Sequence, residues 1–111
     1  MASIPLNTVE ILALEAQIVE QLCTCFDPEI PVNIYELGLI YAITVAPSGA
    51  VDITMTLTSP GCPAAGSLPG EVETTVATVP GVTGAKVAVV WDPPWDPSMM
   101  SEAARLELGM L

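Results

Sequence analysis

The residues that could do chemistry in this 111-residue chain are three cysteines and thirteen carboxylates, and Cys62 stands apart from the rest. It lies in the turn-forming run Ser59-Pro60-Gly61-Cys62-Pro63, just before a segment with helical periodicity. The N–H groups and partial positive charge at a helix start stabilise a thiolate, although the negative charge of the chain opposes a strongly activated nucleophile. The position favours a metal or sulfide ligand; the alternative is a small buried cysteine that fills space.

The loop predicted over 26–38 carries three acidic candidates, Asp27, Glu29 and Glu36. Two prolines stiffen this segment, which fits neither a helical nor a strand period, so we expect an ordered loop with one helical turn. Loops held rigidly beside a sheet commonly carry binding groups. Equally, Asp27 could cap neighbouring backbone while the two glutamates are solvated.

Two hydroxyl residues, Thr58 and Ser59, stand between a predicted strand and Cys62. One interpretation is that they donate hydrogen bonds to a thiolate or to a ligand. The other is that they only stabilise the turn, as hydroxyl side chains often do.

The other two cysteines form a Cys23-x-Cys25 pair near the predicted end of a helix. Residues two apart lie about 200° apart around a helix axis, so the two thiols cannot converge on one ion unless the helix frays at Thr24. A structural zinc site takes four nitrogen or sulfur ligands, and this chain has no histidine. We expect the two cysteines to be packing residues.

Composition excludes several classes of function. The absence of histidine removes Ser-His-Asp, Cys-His and HExxH chemistry, and nothing fixes two carboxylates at a catalytic separation, so we do not expect an enzyme. The formal charge is −11, with Lys86 and Arg105 the only cations. Nucleic acids are bound largely through Lys and Arg, and no phosphate-binding glycine motif is present, so nucleic acid and nucleotides are not expected ligands.

Hydropathy and cysteine count bear on location. The chain is 51% hydrophobic with a mean hydropathy of +0.60, yet it contains no run of the roughly 18 apolar residues that a bilayer span needs. The first residues lack a signal-peptide pattern, and three cysteines fit reduced thiols better than disulfides. We expect a cytoplasmic protein that does not bind membranes.

Periodicity predicts the elements that position these candidates. A helix over 7–25 begins with Asn7 as cap and Glu10 as its partner, and its buried stripe is Ile11, Leu14, Ile18 and Leu22, widened by Leu12 and Val19. A hairpin follows, in which one face of the second strand is apolar and the other polar. The predicted ranges are strands 39–46, 50–58 and 84–91, a helix over 70–79 with a kink or break at Pro69-Gly70, and a last helix over 98–108.

This order, α-β-β-α-β-α, predicts one α+β domain over 1–111 with two layers: a small, mainly antiparallel three-stranded sheet with helices on one face. Residues 92–111 form a Pro- and Trp-containing linker and a short C-terminal helix. Trp91 and Trp95 are expected to clamp this tail onto the core; the alternative is a peptide-binding surface.

The run Asp27-Pro28-Glu29-Ile30-Pro31-Val32-Asn33-Ile34-Tyr35-Glu36-Leu37-Gly38-Leu39-Ile40-Tyr41 resembles the signature of the SufT and PaaD type of metal–sulfur cluster assembly protein. Similar to further parts of that family are Thr56-Leu57-Thr58-Ser59-Pro60-Gly61-Cys62-Pro63, Val79-Pro80-Gly81-Val82, and the tail over 91–95 and 100–109. Asn33 stands where the family often has Asp, and the cysteine-rich extension of PaaD-like members is missing. The resemblance therefore favours the SufT-like branch of the SUF system.

The resemblance implies an α+β domain that helps to mature iron–sulfur proteins, with Cys62 as the reactive or ligating thiol. It also implies a cleft around that thiol, lined by Asp27, Glu29, Thr58 and Ser59. The implied partners are iron–sulfur assembly proteins and client apoproteins, and the implied cargo is an iron–sulfur cluster or iron held transiently. Because clusters usually take four cysteine ligands, one thiolate per chain predicts a labile site shared with a client or across a homodimer.

The alternative hypothesis is a metal-free adaptor that links the assembly machinery to its clients. Its recognition surface would be the acidic surface with Tyr35, Tyr41 and the 91–95 linker. Charge would then set the rate of association and the sign of the partner's charge.

Overall fold

A computed structural model describes residues 5–27, 30–58 and 66–109, and within these ranges the elements follow the predicted order. None of the helices in these ranges is both long and apolar enough to cross a bilayer. The elements are α1 (Thr8–Leu22), β1 (Ile40–Val45), β2 (Ala50–Met55), α2 (Leu68–Ala77), β3 (Gly84–Val89) and α3 (Glu102–Glu107).

Helix α1 begins with the predicted capping pair. The Asn7 side chain accepts a hydrogen bond from the Glu10 N–H at 2.8 Å, and the Glu10 carboxylate accepts one from the Asn7 N–H at 3.1 Å. The helix ends at Leu22 rather than at 25, and its buried residues Leu14 and Ile18 are those predicted. The prediction for Leu12 is wrong, because this side chain is 59% exposed and does not widen the buried stripe.

The sheet has the strand order β1-β2-β3 and is mixed. Strands β1 and β2 form the predicted antiparallel hairpin, but β2 and β3 pair in parallel. The prediction of a mainly antiparallel sheet is therefore wrong for β3. The connection through α2 returns the chain beside β2, so that β3 runs in the same direction as β2. The register slips between Ile40 and Ala42, so Tyr41 is the extra residue of a bulge.

Helices and sheet bury the apolar face that the alternation of β2 predicts. Val51, Ile53 and Met55 are fully buried, whereas Asp52 is exposed on the opposite face. Thr56 continues the polar side of this alternation just beyond β2, yet it is also fully buried. The helical side of this core is formed by Leu14, Ile18 and Leu22 of α1 and by Leu68, Val72 and Val76 of α2.

Helix α2 begins at Leu68, so the predicted kink or break at Pro69-Gly70 is wrong. Both residues lie in the first turn, where backbone N–H groups have no partner within the helix. A proline at this position therefore removes no hydrogen bond of the helix. Further along α2, the Glu73 carboxylate accepts a hydrogen bond from the Val87 N–H of β3 at 3.0 Å. This contact ties the helix to the outer strand of the sheet.

The C-terminal tail packs back onto the sheet and the loop before β1. The helix predicted over 98–108 is divided into a 3-10 turn, Pro97–Met99, and α3, because the backbone at Met100 is extended. The Trp95 indole N–H donates to the Leu37 carbonyl at 2.8 Å, which confirms the clamping role for this tryptophan. Trp91, in contrast, is 43% exposed.

Candidate functional site

The structure describes two of the five residues predicted for the cleft. Asp27 is buried, with 3% of its surface exposed, and Thr58 is half-buried just beyond β2. Glu29, Ser59 and Cys62 lie outside the described residues. Their part in the cleft therefore remains a prediction. The structure does describe the acidic loop, the end of β2 and the C-terminal tail, which lie next to these residues in the sequence or the fold.

Asp27 is positioned by a loop that folds back on itself. Phe26 and Asn33 form an antiparallel bridge, and the Ile34 N–H donates to the Cys25 carbonyl at 2.8 Å. These bonds hold the two sides of the loop together on either flank of the acidic segment. Asp27 is thus fixed in the interior by backbone pairing that the sequence pattern did not reveal.

Asn33 builds the single helical turn that we predicted in this loop. Its side-chain oxygen accepts from the Glu36 N–H at 2.9 Å, and its carbonyl accepts from the Leu37 N–H at 3.0 Å. An aspartate could accept the same bond, so the departure from the resembled signature at this position preserves the turn. The Asn-x-x-Glu spacing, repeated from Asn7 and Glu10, is the sequence signal for this role.

The end of the loop lies beside the end of β2. The Thr56 N–H donates to the Leu39 carbonyl at 2.9 Å, and the Leu39 N–H donates to the Ile34 carbonyl at 3.1 Å. From Thr56 the chain runs through Thr58 into the segment that contains Cys62. The backbone therefore brings the acidic loop next to the strand that leads into the cysteine motif.

The tail holds the same loop from the other side. The Ser101 N–H donates to the Glu36 carbonyl at 2.8 Å, and Met99 packs against Gly38. Gly38 has a φ of +83°, and a Cβ at this position would collide with the Met99 carbonyl. This contact was not predicted, although the glycine at the end of the Asn33 turn was a signal for it.

Tyr41 joins the tail to the sheet. Its hydroxyl donates to the Pro93 carbonyl at 2.8 Å and lies 3.6 Å from the sulfur of Met99. Partial burial raises the pKa of Tyr41, and the hydroxyl of Thr56 opposes that shift. The phenol is therefore a neutral hydrogen-bond donor at physiological pH, which suits a structural role.

Of the two cysteines predicted to be packing residues, Cys25 is buried in the core, whereas Cys23 is only half-buried. Cys25 is 1% exposed and its thiol faces the Gln21 carbonyl at 3.9 Å. Burial is the main cause that raises the pKa of both thiols, and the negative charges of Glu36 and Glu20 raise the pKa of Cys23 further. Both are protonated near neutral pH. Within the described ranges, no three His, Cys, Asp or Glu side chains are grouped to hold a metal ion.

Aromatic side chains are exposed on this loop. Phe26 is 53% exposed and Tyr35 is 39% exposed, one immediately before Asp27 and the other inside the Asn33 turn. Aromatic side chains are enriched at protein interfaces, so these two rings are candidates for contact with another molecule. Tyr35 was predicted as part of a recognition surface, whereas Phe26 was not.

Comparison with known proteins identifies the family. The model of the iron–sulfur cluster assembly protein family matches residues 15–89. This chain belongs to that family. The match runs from α1 to β3, so it includes the acidic loop and the cysteine motif and leaves out the tail.

Individual relatives of the iron–sulfur cluster assembly family agree with this assignment. A Porphyromonas gingivalis protein named Fe-S protein maturation auxiliary factor is 51% identical over 102 residues, 92% of this chain and 97% of that protein. The Staphylococcus aureus Fe-S protein maturation auxiliary factor SufT is 40% identical over 84 residues, 76% of this chain and 96% of that protein. The SufT-like resemblance of the sequence is confirmed.

The fold agrees as well. The crystal structure of a domain of unknown function, DUF59, from Bacillus anthracis matches with a TM-score of 0.87 at 40% identity. The match covers 95% of this chain and 100% of that chain. The three-helix, three-strand arrangement of the described residues is thus the fold of this family.

Proposed function

We propose that this protein is a cytoplasmic accessory factor of iron–sulfur cluster assembly, which binds iron or a cluster as transient cargo through Cys62 and passes it to client apoproteins. The observation that carries the proposal is the family match over residues 15–89, which spans both the acidic loop and the cysteine motif. The Thr56–Leu39 hydrogen bond supports it, because it joins these two segments of the chain.

The chemistry of the thiols supports a labile site. Iron–sulfur clusters are usually held by four cysteine thiolates. Cys25 is a poor additional donor because it is 1% exposed, and burial together with the charges of Glu36 and Glu20 raises the pKa of the Cys23 thiol. Cys62 would then be the one thiolate that each chain contributes, and the remaining ligands would come from a client or from a second copy. A site completed by the recipient favours transfer over storage.

Other groups would surround the cargo. In this proposal Asp27, Glu29, Thr58 and Ser59 line the cleft, where carboxylate oxygens would coordinate iron and hydroxyl groups would donate hydrogen bonds to sulfur. The exposed rings of Phe26 and Tyr35 would contact the client beside it. The proposed role is non-enzymatic, because transfer exchanges the thiolate ligands of the cargo and converts no substrate into a product.

Anaerobic reconstitution with ferrous iron and sulfide tests the proposal. We expect Cys62→Ser to contain at most about one tenth of the iron and sulfide that the wild type contains. We also expect this variant not to transfer iron or a cluster to an apoprotein. Cys23→Ser is the matched control, because it removes a half-buried thiol and should leave both quantities unchanged. A Cys62→Ser protein that binds and transfers as much as the wild type would remove Cys62 from the mechanism.

A metal-free adaptor is the second candidate, and the exposed Trp91, Phe26 and Tyr35 favour it. It requires association with assembly proteins that depends on salt and on these rings but not on Cys62. Binding measured with an assembly partner at low and high salt separates the two functions. Trp91→Ala should weaken the complex of an adaptor, whereas Cys62→Ser should leave it intact.

A further inference from the structure

Helix α1 is apolar on two opposite faces. Leu14, Ile18 and Leu22 are buried against the sheet and α2. On the other side, Val9 is 74% exposed and Leu12 is 59% exposed. Ala13 and Ala16 are exposed with them, and the spacing of these four residues is that of a single helix face. A surface helix normally carries polar residues there, and packing among residues 5–27, 30–58 and 66–109 does not account for this outer face.

A shallow open pocket of about 240 Å³ lies beside the outer face. The turn after α2 forms its far wall, where Gly81 has a φ of +99° and a Cβ would lie 3.6 Å from a methyl group of Leu14. The pocket could accept one large apolar side chain from another molecule. Its lining residues are Leu6, Glu10, Ala13, Leu14, Gln17, Pro80 and Gly81.

The glutamates around this face indicate what kind of molecule binds to it. Glu10 lies on one flank of the apolar stripe, Glu15 on the other, and Glu20 at its C-terminal end, while α1 contains no Lys or Arg. A second copy placed here would bring these carboxylates against one another, and the formal charge of −11 adds to that repulsion. A partner with cations on both sides of an apolar stripe is complementary.

We propose that the outer face of α1, made of Val9, Leu12, Ala13 and Ala16 with the adjoining pocket, is a docking surface for an amphipathic helix of a partner protein. The partner helix carries apolar residues at three- and four-residue spacing, one of which enters the pocket. Lys or Arg residues flank that stripe and face Glu10, Glu15 and Glu20. This inference goes beyond the proposed function and does not depend on Cys62.

A designed peptide of about 18 residues, long enough to form a helix, is the probe. It carries Leu at three- and four-residue spacing with Lys on both flanks, and a second peptide replaces each Lys by Glu. Fluorescence anisotropy measures binding to the full chain. We expect Leu12→Ser to weaken binding of the Lys peptide about tenfold, since removal of one buried Leu contact costs at least about 1.4 kcal/mol.

Leu106→Ser is the matched control, because Leu106 of α3 is 67% exposed and lies outside the proposed surface. It should leave the affinity within about twofold of wild type, and the Glu peptide should not bind measurably. Circular dichroism verifies that each variant is folded, and Val9→Ser repeats the test should Leu12→Ser unfold the chain. Equal affinities for wild type and both α1 variants, or equal binding of the two peptides, would overturn the proposal.

Two further measurements distinguish this docking surface from a dimer interface and from the cluster site. Sedimentation equilibrium reports whether wild type self-associates; a dimer that Leu12→Ser dissociates would assign the face to a second copy and contradict the proposal. Cys62→Ser should bind the Lys peptide as wild type does, and Leu12→Ser should take up iron and sulfide as wild type does. Failure of the docking surface is therefore distinguishable from failure of the cluster site.

Discussion

The start of α1 and the acidic loop contain the same Asn-x-x-Glu spacing, and the two turns have different outcomes. At Asn7 the bonds are reciprocal, and a helix of 15 residues follows. At Asn33 the side chain accepts from the Glu36 N–H, but the turn ends at Gly38, where φ is +83°. The same local signal thus begins a long helix in one place and one turn in the other.

The difference lies in what each turn packs against. After Asn7 the chain presents apolar residues at helical spacing, and their burial against the sheet sustains the helix. After Asn33 the chain reaches a glycine that the tail contacts through Met99, while Ser101 bonds to the Glu36 carbonyl. Tertiary contacts, and not the capping signal, therefore set the length of the element.

The largest effect is expected where the second turn ends. Gly38→Ala introduces a Cβ at positive φ against the Met99 carbonyl, and we expect a loss of about 2–4 kcal/mol in the free energy of unfolding. Urea unfolding followed by tryptophan fluorescence measures it. Gly70→Ala is the control, because a Cβ there meets no atom within 4 Å, and it should be neutral or slightly stabilising. Equal effects of the two substitutions would contradict the packing argument.

Removal of the second turn's acceptor should have the next largest effect. Asn33→Ala leaves the Glu36 N–H, which is half-buried, without its partner, and we expect a loss of about 1–2 kcal/mol in stability. Asn33→Asp retains the acceptor and should stay near wild type. Thermal unfolding of both variants measures the difference, and an Asn33→Asp protein as unstable as Asn33→Ala would show that the bond is not the cause.

The first turn should tolerate the same substitution better. Asn7→Ala removes an exposed helix cap, which typically costs about 1 kcal/mol. Asn7→Ser restores a capping oxygen and should recover most of that loss. Urea unfolding of the pair gives the comparison, and a larger loss at Asn7 than at Asn33 would reverse the ranking of the two turns.

The smallest effect concerns pH. Burial raises the pKa of the Cys25 thiol in the folded protein, whereas the unfolded thiol ionises near its ordinary value of 9.0. The unfolded state therefore binds fewer protons than the folded state at alkaline pH. The contribution of this thiol to the free energy of unfolding is fully present below pH 9 and is lost as the pH rises above 9. At pH 9.5 the loss in the free energy of unfolding that Cys25 causes is below about 1 kcal/mol.

The free energy of unfolding of Cys25→Ala and of wild type, measured at pH 7 and pH 9.5, isolates the contribution of Cys25, because every other titrating group is common to both proteins. The variant should lose less stability between the two pH values. Equal losses would mean that the folded and unfolded thiols ionise alike.

Much of the fold follows from local pattern. The cap at Asn7, the hairpin and the alternation of β2 were predicted, because each depends on residues close in sequence. The parallel pairing of β3 was not, since it is set by where α2 returns the chain. Leu12 was assigned to the wrong face because helical spacing alone does not say which of two apolar faces meets the core.

The site divides in the same way. The turn in the acidic loop was predicted from composition, and Trp95 as a clamp from its proline-rich surroundings. The burial of Asp27 was not predicted, because it results from the bridge between Phe26 and Asn33, and the Gly38 contact depends on a tail about 60 residues away in sequence. The roles of Glu29, Ser59 and Cys62 stay predictions.

The hydrogen bond between Glu73 and the Val87 N–H has a consequence for solubility. β3 lies at the border of the sheet, where unsatisfied amide groups can recruit a foreign strand and start aggregation. Glu73 occupies one of these donors and places a negative charge at that border. A fourth strand would have to displace the carboxylate and approach its charge, so Glu73 of α2 disfavours growth of the sheet on this side.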